Sequence, residues 1–238
     1  MKKETGLMFK APLVLAILAG QKTQTRRIVK WKGLQKGLNL GFSGLRAGKT
    51  GDNWVLESNT PTSSEWRCTP TPCPFGKPGD RIYVRETFVQ GFKTDPSTGD
   101  LLQWGSDGEE LPMTTWFRAT DGGISWSDDD GWETNVPWKP AIHMPKDLAR
   151  IWLEITGVRV ERLQQISRAD AIAEGIKFFN NDHECGAKNY LDRTDMDYSL
   201  CPTDSFETLW KSTGGDWAGN HWVWVIDFKT ISTDGRPA

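Results

Sequence analysis

The segment from Gln21 to Arg27 carries the side chains in this chain that are best suited to chemistry. Lys22 can act as a general base once its pKa is lowered, and both burial and the adjacent charges of Arg26 and Arg27 would lower it. Thr25, three residues after the lysine, supplies a hydroxyl nucleophile. The same cations also suit phosphate, and each residue fits an ordinary role in a turn or salt bridge. The segment therefore indicates either acyl hydrolysis or recognition of a phosphate.

Helix and strand signals surround this segment and must position it. A short helix is predicted from Pro12 to Gly20, because proline opens a helix well and glycine ends one. A second helix is predicted over 167–174, where Ser167 is the N-cap and Gly175 the stop. Alternating or apolar runs predict strands over 81–88, 151–163 and 222–228. Smaller elements are predicted as a strand over 115–119 and a helix over 205–212, with a loop over 180–203.

Composition favours an α+β class with many turns and short strands. The chain has 37% apolar and 25% charged residues, together with 24 Gly and 13 Pro that are spread along its length. It also has 13 Trp, a residue that serves both as core filler and as a flat surface for base stacking. From Thr5 to Gly51 there are nine Lys or Arg and no acid, which suits contact with phosphate or a solvated basic face.

The segment resembles the signature of the ASCH domain, a PUA-like β-barrel. That signature is a helix ending in Gly, followed by x-Lys-x-x-Glu-x-Arg. Gly20, Lys22 and Arg27 fill it, and Thr25 stands where the family has its usual Glu. The threonine makes the chain similar to bacterial N4-acetylcytidine amidohydrolases, which are small ASCH proteins. The resemblance implies an α+β fold: a small mixed β-barrel with short flanking helices and loop insertions.

This resemblance also implies a set of site residues. Lys22, Thr25 and Glu174 would be the catalytic triad of a metal-independent hydrolase acting on a modified pyrimidine nucleoside. Glu174 is assigned from the strand over 151–163 and the Ser-capped helix that follows it. Arg26, Arg27 and Glu86 are expected to bind substrate, although strand alternation also fits Glu86 as a simple exposed residue.

The resemblance covers about half of the chain. We expect a single ASCH-like domain over 1–231 with insertions near 31–72, 91–140 and 178–203, and a tail over 232–238. Two further features are similar to larger ASCH-type proteins often encoded by phages. They are the runs Val84-Arg85-Glu86-Thr87-Phe88 and Trp138-Lys139-Pro140-Ala141-Ile142-His143-Met144-Pro145.

Two other functions fit the same residues. One is a module that binds RNA or modified DNA through the basic N-terminal segment and stacks bases on tryptophan. The other is a ribonuclease of the ASCH type. The expected partner is a nucleoside or nucleic-acid base, with RNA as a further partner.

The cysteines are weak candidates for a metal site. Cys68, Cys73, Cys185 and Cys201 form two separated pairs that lack the tight spacing of a zinc knuckle. We therefore expect free thiols and no cofactor. The apolar run over 11–19 lacks a clear cleavage site, and no run approaches the roughly 20 residues needed to span a bilayer. A cytoplasmic location without a membrane partner is expected.

Overall fold

The computed structural model describes residues 2–58, 66–93, 97, 102–127, 132–180, 185–188, 198–199 and 201–237. Its helices and several sheets form a mixed α+β structure, which confirms the predicted α+β class. The chain divides into two compact units. The first comprises Met1–Thr5, Ala16–Ile82 and Leu153–Ile231, and the second comprises Gly6–Leu15, Tyr83–Trp152 and Ser232–Ala238. The single domain over 1–231 with insertions stays a prediction.

The described strands are short, apart from two of 11 residues. They are β1 (Glu4–Met8), β2 (Gln24–Ile28), β3 (Leu45–Thr50), β4 (Asn53–Ser58), β5 (Thr71–Pro72), β6 (Arg81–Arg85), β7 (Phe88–Gly91), β8 (Thr114–Phe117), β9 (Trp126–Ser127), β10 (Glu133–Thr134), β11 (Trp152–Arg162), β12 (Phe178–Asn180), β13 (Cys185–Lys188), β14 (Tyr198–Ser199) and β15 (Trp222–Ser232). The helices are α1 (Ala11–Leu18), α2 (Arg118–Asp121), α3 (Arg168–Ala173) and α4 (Pro202–Ser212). Single 3-10 turns lie at Ala141–His143, Lys146–Leu148 and Leu163–Gln165.

The largest sheet has five strands in the order β1-β6-β11-β15-β2. At one edge β2 runs antiparallel to β15, which pairs Gln24 with Asp227 and Thr25 with Ile226. Smaller sheets combine β3-β4-β5, β12-β13-β14, β7-β8 and β9-β10. Among the described strands no pairing closes a barrel, so the sheets are open.

Strand β15 forms because its sequence can be buried on both faces. All of Trp222-Val223-Trp224-Val225-Ile226 is buried, as expected for a strand with covered faces. The structure confirms the predicted strand and extends it to Ser232. Strand β11 matches its predicted bounds to within one residue at each end.

Two glycines end the helices that flank the strand β2. Gly20 follows α1 with a φ of +70°, and Gly175 follows α3 with a φ of +89°. Only glycine adopts this left-handed backbone without strain. A Cβ on Gly175 would lie 3.0 Å from the Cβ atoms of Ala16 and Lys22. Gly175 therefore also permits the close approach of the lysine, and the predicted helix over 167–174 is confirmed with Ser167 as its N-cap.

Several predicted elements differ from the observed ones. The strand over 81–88 is interrupted after Arg85, where the Glu86 amide donates to the Met144 sulfur at 3.2 Å. The predicted helix over 205–212 starts earlier, at Pro202, because proline is favoured in a first helical turn. The loop predicted over 180–203 is wrong at β13 and β14, which pair with each other. In the described part of the chain no helix combines the length and apolar character needed to cross a bilayer.

Candidate active site

Strand β2 divides its side chains between two faces of the sheet. Successive residues of a strand point to opposite faces, so Gln24 and Arg26 share one face while Thr25 and Arg27 share the other. Two side-chain contacts agree with this division. Arg26 donates to the Gln24 side chain, and Arg27 donates to the Thr25 hydroxyl at 2.8 Å. Lys22 lies just before the strand, and its ammonium contacts Glu174 and the carbonyl of Gln24.

The ammonium of Lys22 is buried and surrounded by acceptors. Its Nζ donates to the carbonyl of Gln24, to the carbonyl of Glu174 and to the Glu174 carboxylate Oε2, each at 2.7 Å. The residue is only 1% exposed. Burial lowers the pKa of Lys22, and this effect outweighs the opposing influence of the Glu174 carboxylate. The charges of Arg27 and Arg26 lower the Lys22 pKa further. Such a lysine loses its proton more readily than one in water.

Glu174 owes its place to the end of helix α3. It is the C-cap of that helix, and the left-handed Gly175 turns the chain immediately after it. Oε2 accepts from Lys22, and Oε1 lies 3.3 Å from a guanidinium nitrogen of Arg26. The Glu174 side chain is 5% exposed. One carboxylate therefore bridges two buried cations that lie 152 and 148 residues away along the chain.

Arg26 is the second buried cation. Its Nη2 pairs with Glu161 at 2.5 Å and lies 3.5 Å from Asp170. The guanidinium carbon also lies 5.6 Å from the centre of the Phe206 ring, within cation–π distance. Arg26 Nε is buried, and within the described residues it has no hydrogen-bond partner. A water molecule or ligand oxygen that reached this donor would complete its hydrogen bonding.

The carboxylates of Asp170 and Asp227 and the guanidinium of Arg159 complete the arrangement. These side chains are more exposed to solvent than Lys22. Asp170 accepts from Gln24 at 2.8 Å, from Ser167 at 2.8 Å and from Arg159 at 2.7 Å. Asp227 accepts from Gln24 at 2.7 Å and from Arg159 at 3.0 Å. The side chains of Arg159 and Asp227 are each 36% exposed, against 0% for Lys22.

We call this set the polar cluster. Its members are Lys22, Gln24, Arg26, Arg159, Glu161, Asp170, Glu174 and Asp227. The cluster opens to solvent at Arg159 and Asp227 and is closed at Lys22.

The polar cluster also lowers the pKa of Asp170. Burial raises the pKa of Asp170, but hydrogen bonds from Gln24 and Ser167 and the charge of Arg159 outweigh it and hold the pKa at about 2. Asp170 is therefore a carboxylate at neutral pH and fixes the orientation of Gln24 and Arg159.

Thr25 lies on the other face of β2. Its buried hydroxyl accepts from the Arg27 guanidinium at 2.8 Å, and within the described residues this is its one side-chain partner. Burial lowers the pKa of Arg27, and Glu174 opposes that effect. Donation by a guanidinium leaves the hydroxyl hydrogen free and favours the alkoxide form. The structure thus brings Lys22, Arg26 and Glu174 together, whereas Thr25 pairs with Arg27 and not with Lys22.

Glu86 has a different environment, within the second unit. Both of its carboxylate oxygens accept from Arg150, each at 2.9 Å, and the residue is 1% exposed. Arg150 also donates to Thr120 at 3.1 Å and lies 4.1 Å from the centre of the Phe117 ring. This bidentate pair is complete in itself, and Glu86 is not a member of the polar cluster.

The cysteines form no metal centre in the part of the chain that the structure describes. No group of three or more His, Cys, Asp or Glu is positioned there to hold a metal. Cys68 and Cys73 are buried free thiols, and burial raises the pKa of each. Cys201 is a half-buried free thiol. The side chain of Cys185 lies outside the described residues.

Five members of the polar cluster were not anticipated from the sequence. They are Gln24, Arg159, Glu161, Asp170 and Asp227. Three of them carry a sequence signal: charged residues stand at alternate positions 159 and 161 of a strand, and an aspartate interrupts the apolar run of β15. Alternation places 159 and 161 on one face of the strand, which is a usable sign of a polar surface inside a sheet.

Comparison of the chain with known protein families, with curated proteins and with solved structures gives no match.

Proposed function

We propose that the chain is an ASCH-type, PUA-like protein that hydrolyses the exocyclic amide of an N4-acylated cytidine, with Lys22 and Glu174 as its acid–base pair. The observation that carries the proposal is the 2.7 Å contact between two buried groups of opposite charge, Lys22 Nζ and Glu174 Oε2. General acid–base catalysis needs a proton donor and a proton acceptor within reach of the substrate, and a pKa shifted towards the working pH favours it. The lowered pKa of Lys22 is such a shift.

The polar cluster suits a pyrimidine amide. An N4-acylated cytosine presents acceptors at its ring carbonyl, ring nitrogen and acyl oxygen, and a donor at its exocyclic N–H. Arg26 offers the buried donor Nε, and carboxylates such as Asp227 accept N–H groups. A buried guanidinium also stabilises negative charge that develops on the acyl oxygen during attack.

The reaction consumes one water molecule for each amide. A hydroxyl oxygen, of Thr25 or of water, adds to the acyl carbon, and the neutral amine of Lys22 takes the hydroxyl proton. The bond between the acyl carbon and N4 then breaks, while that proton passes through Glu174 to N4, so that cytidine leaves. Water attack gives the carboxylic acid directly, whereas Thr25 attack leaves an ester that a water molecule then hydrolyses to the acid and free Thr25.

Two nucleophiles are compatible with Lys22 and Glu174 as the acid–base pair. One is the Thr25 hydroxyl, which Arg27 polarises, and the other is a water molecule. Thr25 attack produces an ester on the protein that water must hydrolyse, and water attack produces none. Mass spectrometry of protein quenched during turnover distinguishes them, because acetyl-Thr25 adds one acetyl group. The variant Thr25→Val loses turnover in the first case and retains it in the second.

The test is release of cytidine from N4-acetylcytidine by the purified chain. Glu174→Gln keeps an acceptor for Lys22 but removes the titrating carboxyl, so turnover should fall by about 100-fold or more. Glu154→Gln is the matched control, because Glu154 also accepts from a lysine, Lys229 at 2.9 Å, on the exposed surface. It should leave turnover within about twofold. Absence of turnover by the wild type, or equal turnover by Glu174→Gln, refutes the proposal.

A further inference from the structure

A pair of grooves lies on the hairpin part of the first unit, where strands β3, β4 and β5 form a sheet of their own. The larger groove has a volume of about 580 Å³, and Trp66, Arg67, Gln35 and Thr69 are among the residues that line it. The smaller has a volume of about 290 Å³ and is lined in part by Phe42, Lys36, Gln35 and Arg67. Ligand sites usually have volumes between about 300 and 1,000 Å³. The larger groove lies within this range and the smaller lies just below it, so each has room for a flat ring.

Each groove has an aromatic ring that faces solvent. Trp66 is 51% exposed and Phe42 is 50% exposed. Exposed aromatic rings are surfaces on which unpaired bases can stack. The two grooves share Gln35 and Arg67, so these two polar residues lie between the rings.

Hydrogen bonds hold the shared residues in place. The Gln35 amide donates to the Arg67 carbonyl at 2.9 Å, and the Arg67 guanidinium donates to the Gln35 side chain at 3.2 Å. The Arg67 amide donates to Leu56 of β4 at 2.7 Å. The Phe42 carbonyl accepts from Arg162 at 3.2 Å, which ties its loop to the end of β11. The grooves are therefore features of ordered backbone.

The charge around the grooves is positive. Between 30 and 58 and between 66 and 72, the described residues include six cations and two carboxylates, Asp52 and Glu57. Each carboxylate is already paired, Asp52 with Lys77 and Glu57 with Arg46. Lys32 and Lys36 are exposed and have no carboxylate partner among the described residues. The surface thus attracts an anion that carries flat rings.

We propose that these two grooves bind a single-stranded polynucleotide, with successive bases on Trp66 and Phe42 and the intervening phosphate beside Lys36 and Arg67. Aromatic platforms separated by a cation match the alternation of base and phosphate along a single strand. A duplex lacks this fit because its bases are already stacked on one another. Binding here needs neither Lys22 nor Glu174.

The experiment is fluorescence anisotropy with labelled 12-nucleotide strands of one sequence, as RNA and as DNA, together with the RNA duplex. We expect both or one of the single strands to bind more tightly than the duplex, and the difference between RNA and DNA reports contact with the 2′-hydroxyl. The logarithm of Kd should rise with the logarithm of salt concentration by about 0.7 for each phosphate contacted. Lys36→Ala should lower that slope by about one such contact.

Substitutions of Trp66 test whether its ring stacks on a base. Trp66→Ala should weaken single-strand binding by about 5- to 150-fold, and Trp66→Phe should retain most of the affinity because it keeps a ring. Trp104→Ala is the matched control: Trp104 is 60% exposed and lines neither groove, so its loss should leave Kd unchanged. Glu174→Gln should also leave Kd unchanged.

Three results overturn the proposal. They are flat, negligible binding at low salt, equal binding of duplex and single strands, and an unchanged Kd in Trp66→Ala protein whose thermal unfolding matches the wild type. None of these results depends on cleavage of N4-acetylcytidine, so failure here and failure of the hydrolytic function are distinguishable.

Discussion

Replacement of Lys22 by Met should destabilise the protein strongly, and the size of the effect follows from the contacts of its ammonium. Lys22 Nζ is fully buried and donates three hydrogen bonds of 2.7 Å, one of them to a carboxylate. Methionine has a similar length but no donor. The substitution leaves two carbonyl acceptors unfilled and leaves the Glu174 carboxylate with the more distant Arg26 contact, at 3.3 Å.

The expected cost is about 3–5 kcal/mol, because removal of one partner of a buried ion pair leaves an uncompensated charge. A fold of this size is typically stable by about 5–15 kcal/mol, so the variant should still be folded at 25 °C. Urea unfolding followed by tryptophan fluorescence measures the difference in free energy. Lys229→Met, which removes a cation from the exposed Glu154 pair, is the control and should unfold almost as the wild type does.

A second variant separates loss of charge balance from loss of packing. In Lys22→Met combined with Glu174→Met both charges are gone, so most of the lost stability should return. A cost below about 1 kcal/mol for Lys22→Met would refute the reasoning, because it would mean that water reaches the ammonium. A double variant no more stable than Lys22→Met alone would also refute it, since the cost would then come from packing.

Three further predictions concern the surroundings of the pair. Gly175→Ala should lower the free energy of unfolding in urea by about 2–5 kcal/mol, because the new Cβ would lie 3.0 Å from the Lys22 Cβ on a backbone with a φ of +89°. Gly20→Ala is the control: its φ is also positive but nothing lies within 4 Å of the new Cβ, so the loss should be about 1–2 kcal/mol. Because the Asp170 pKa is about 2 in the folded protein and about 3.9 when unfolded, its stabilising effect is complete above pH 4 and is lost as the pH falls towards 2. Asp170→Asn should show a smaller fall in unfolding free energy over that window. Glu86→Gln should lower Tm, because Glu86 is buried against Arg150, and should leave kcat/KM for N4-acetylcytidine unchanged; a selective rise in KM would instead assign Glu86 to substrate binding.

Local sequence signals predicted helix α3, which positions Glu174, and the long strands β11 and β15. The Ser167 cap and the Gly175 stop defined helix α3, and therefore the position of Glu174, because both signals act over a few residues. The apolar runs of β11 and β15 were visible for the same reason. The class α+β followed from these elements together.

The sequence did not reveal strand β2. Its residues Gln24-Thr25-Arg26-Arg27-Ile28 lack alternating apolar side chains, and a strand is recognised mainly by that alternation. The strand forms because β15 supplies a backbone partner and because distant acids satisfy its polar side chains. Such partners are 135 to 203 residues away, and no local pattern contains them.

The different hydrogen-bond partners of Lys22 and Thr25 were hidden for a related reason. The three-residue spacing from Lys22 to Thr25 suggests proximity, but it does not state where the chain enters a strand. Once β2 begins at Gln24, alternation alone sends the Thr25 hydroxyl to Arg27. The spacing therefore pointed to two candidate groups without giving their geometry.

The pH dependence of cytidine release tests the acid–base pair most directly. With Lys22 as the base, kcat/KM for N4-acetylcytidine should rise with pH and level off below the ordinary lysine value of 10.5, since burial lowers the Lys22 pKa. Glu174 raises that pKa, so Glu174→Gln should shift the rising limb to lower pH as well as reduce the maximum rate. A rising limb that stays at the same pH in Glu174→Gln, or a wild-type protein that releases no cytidine at any pH, would contradict the account.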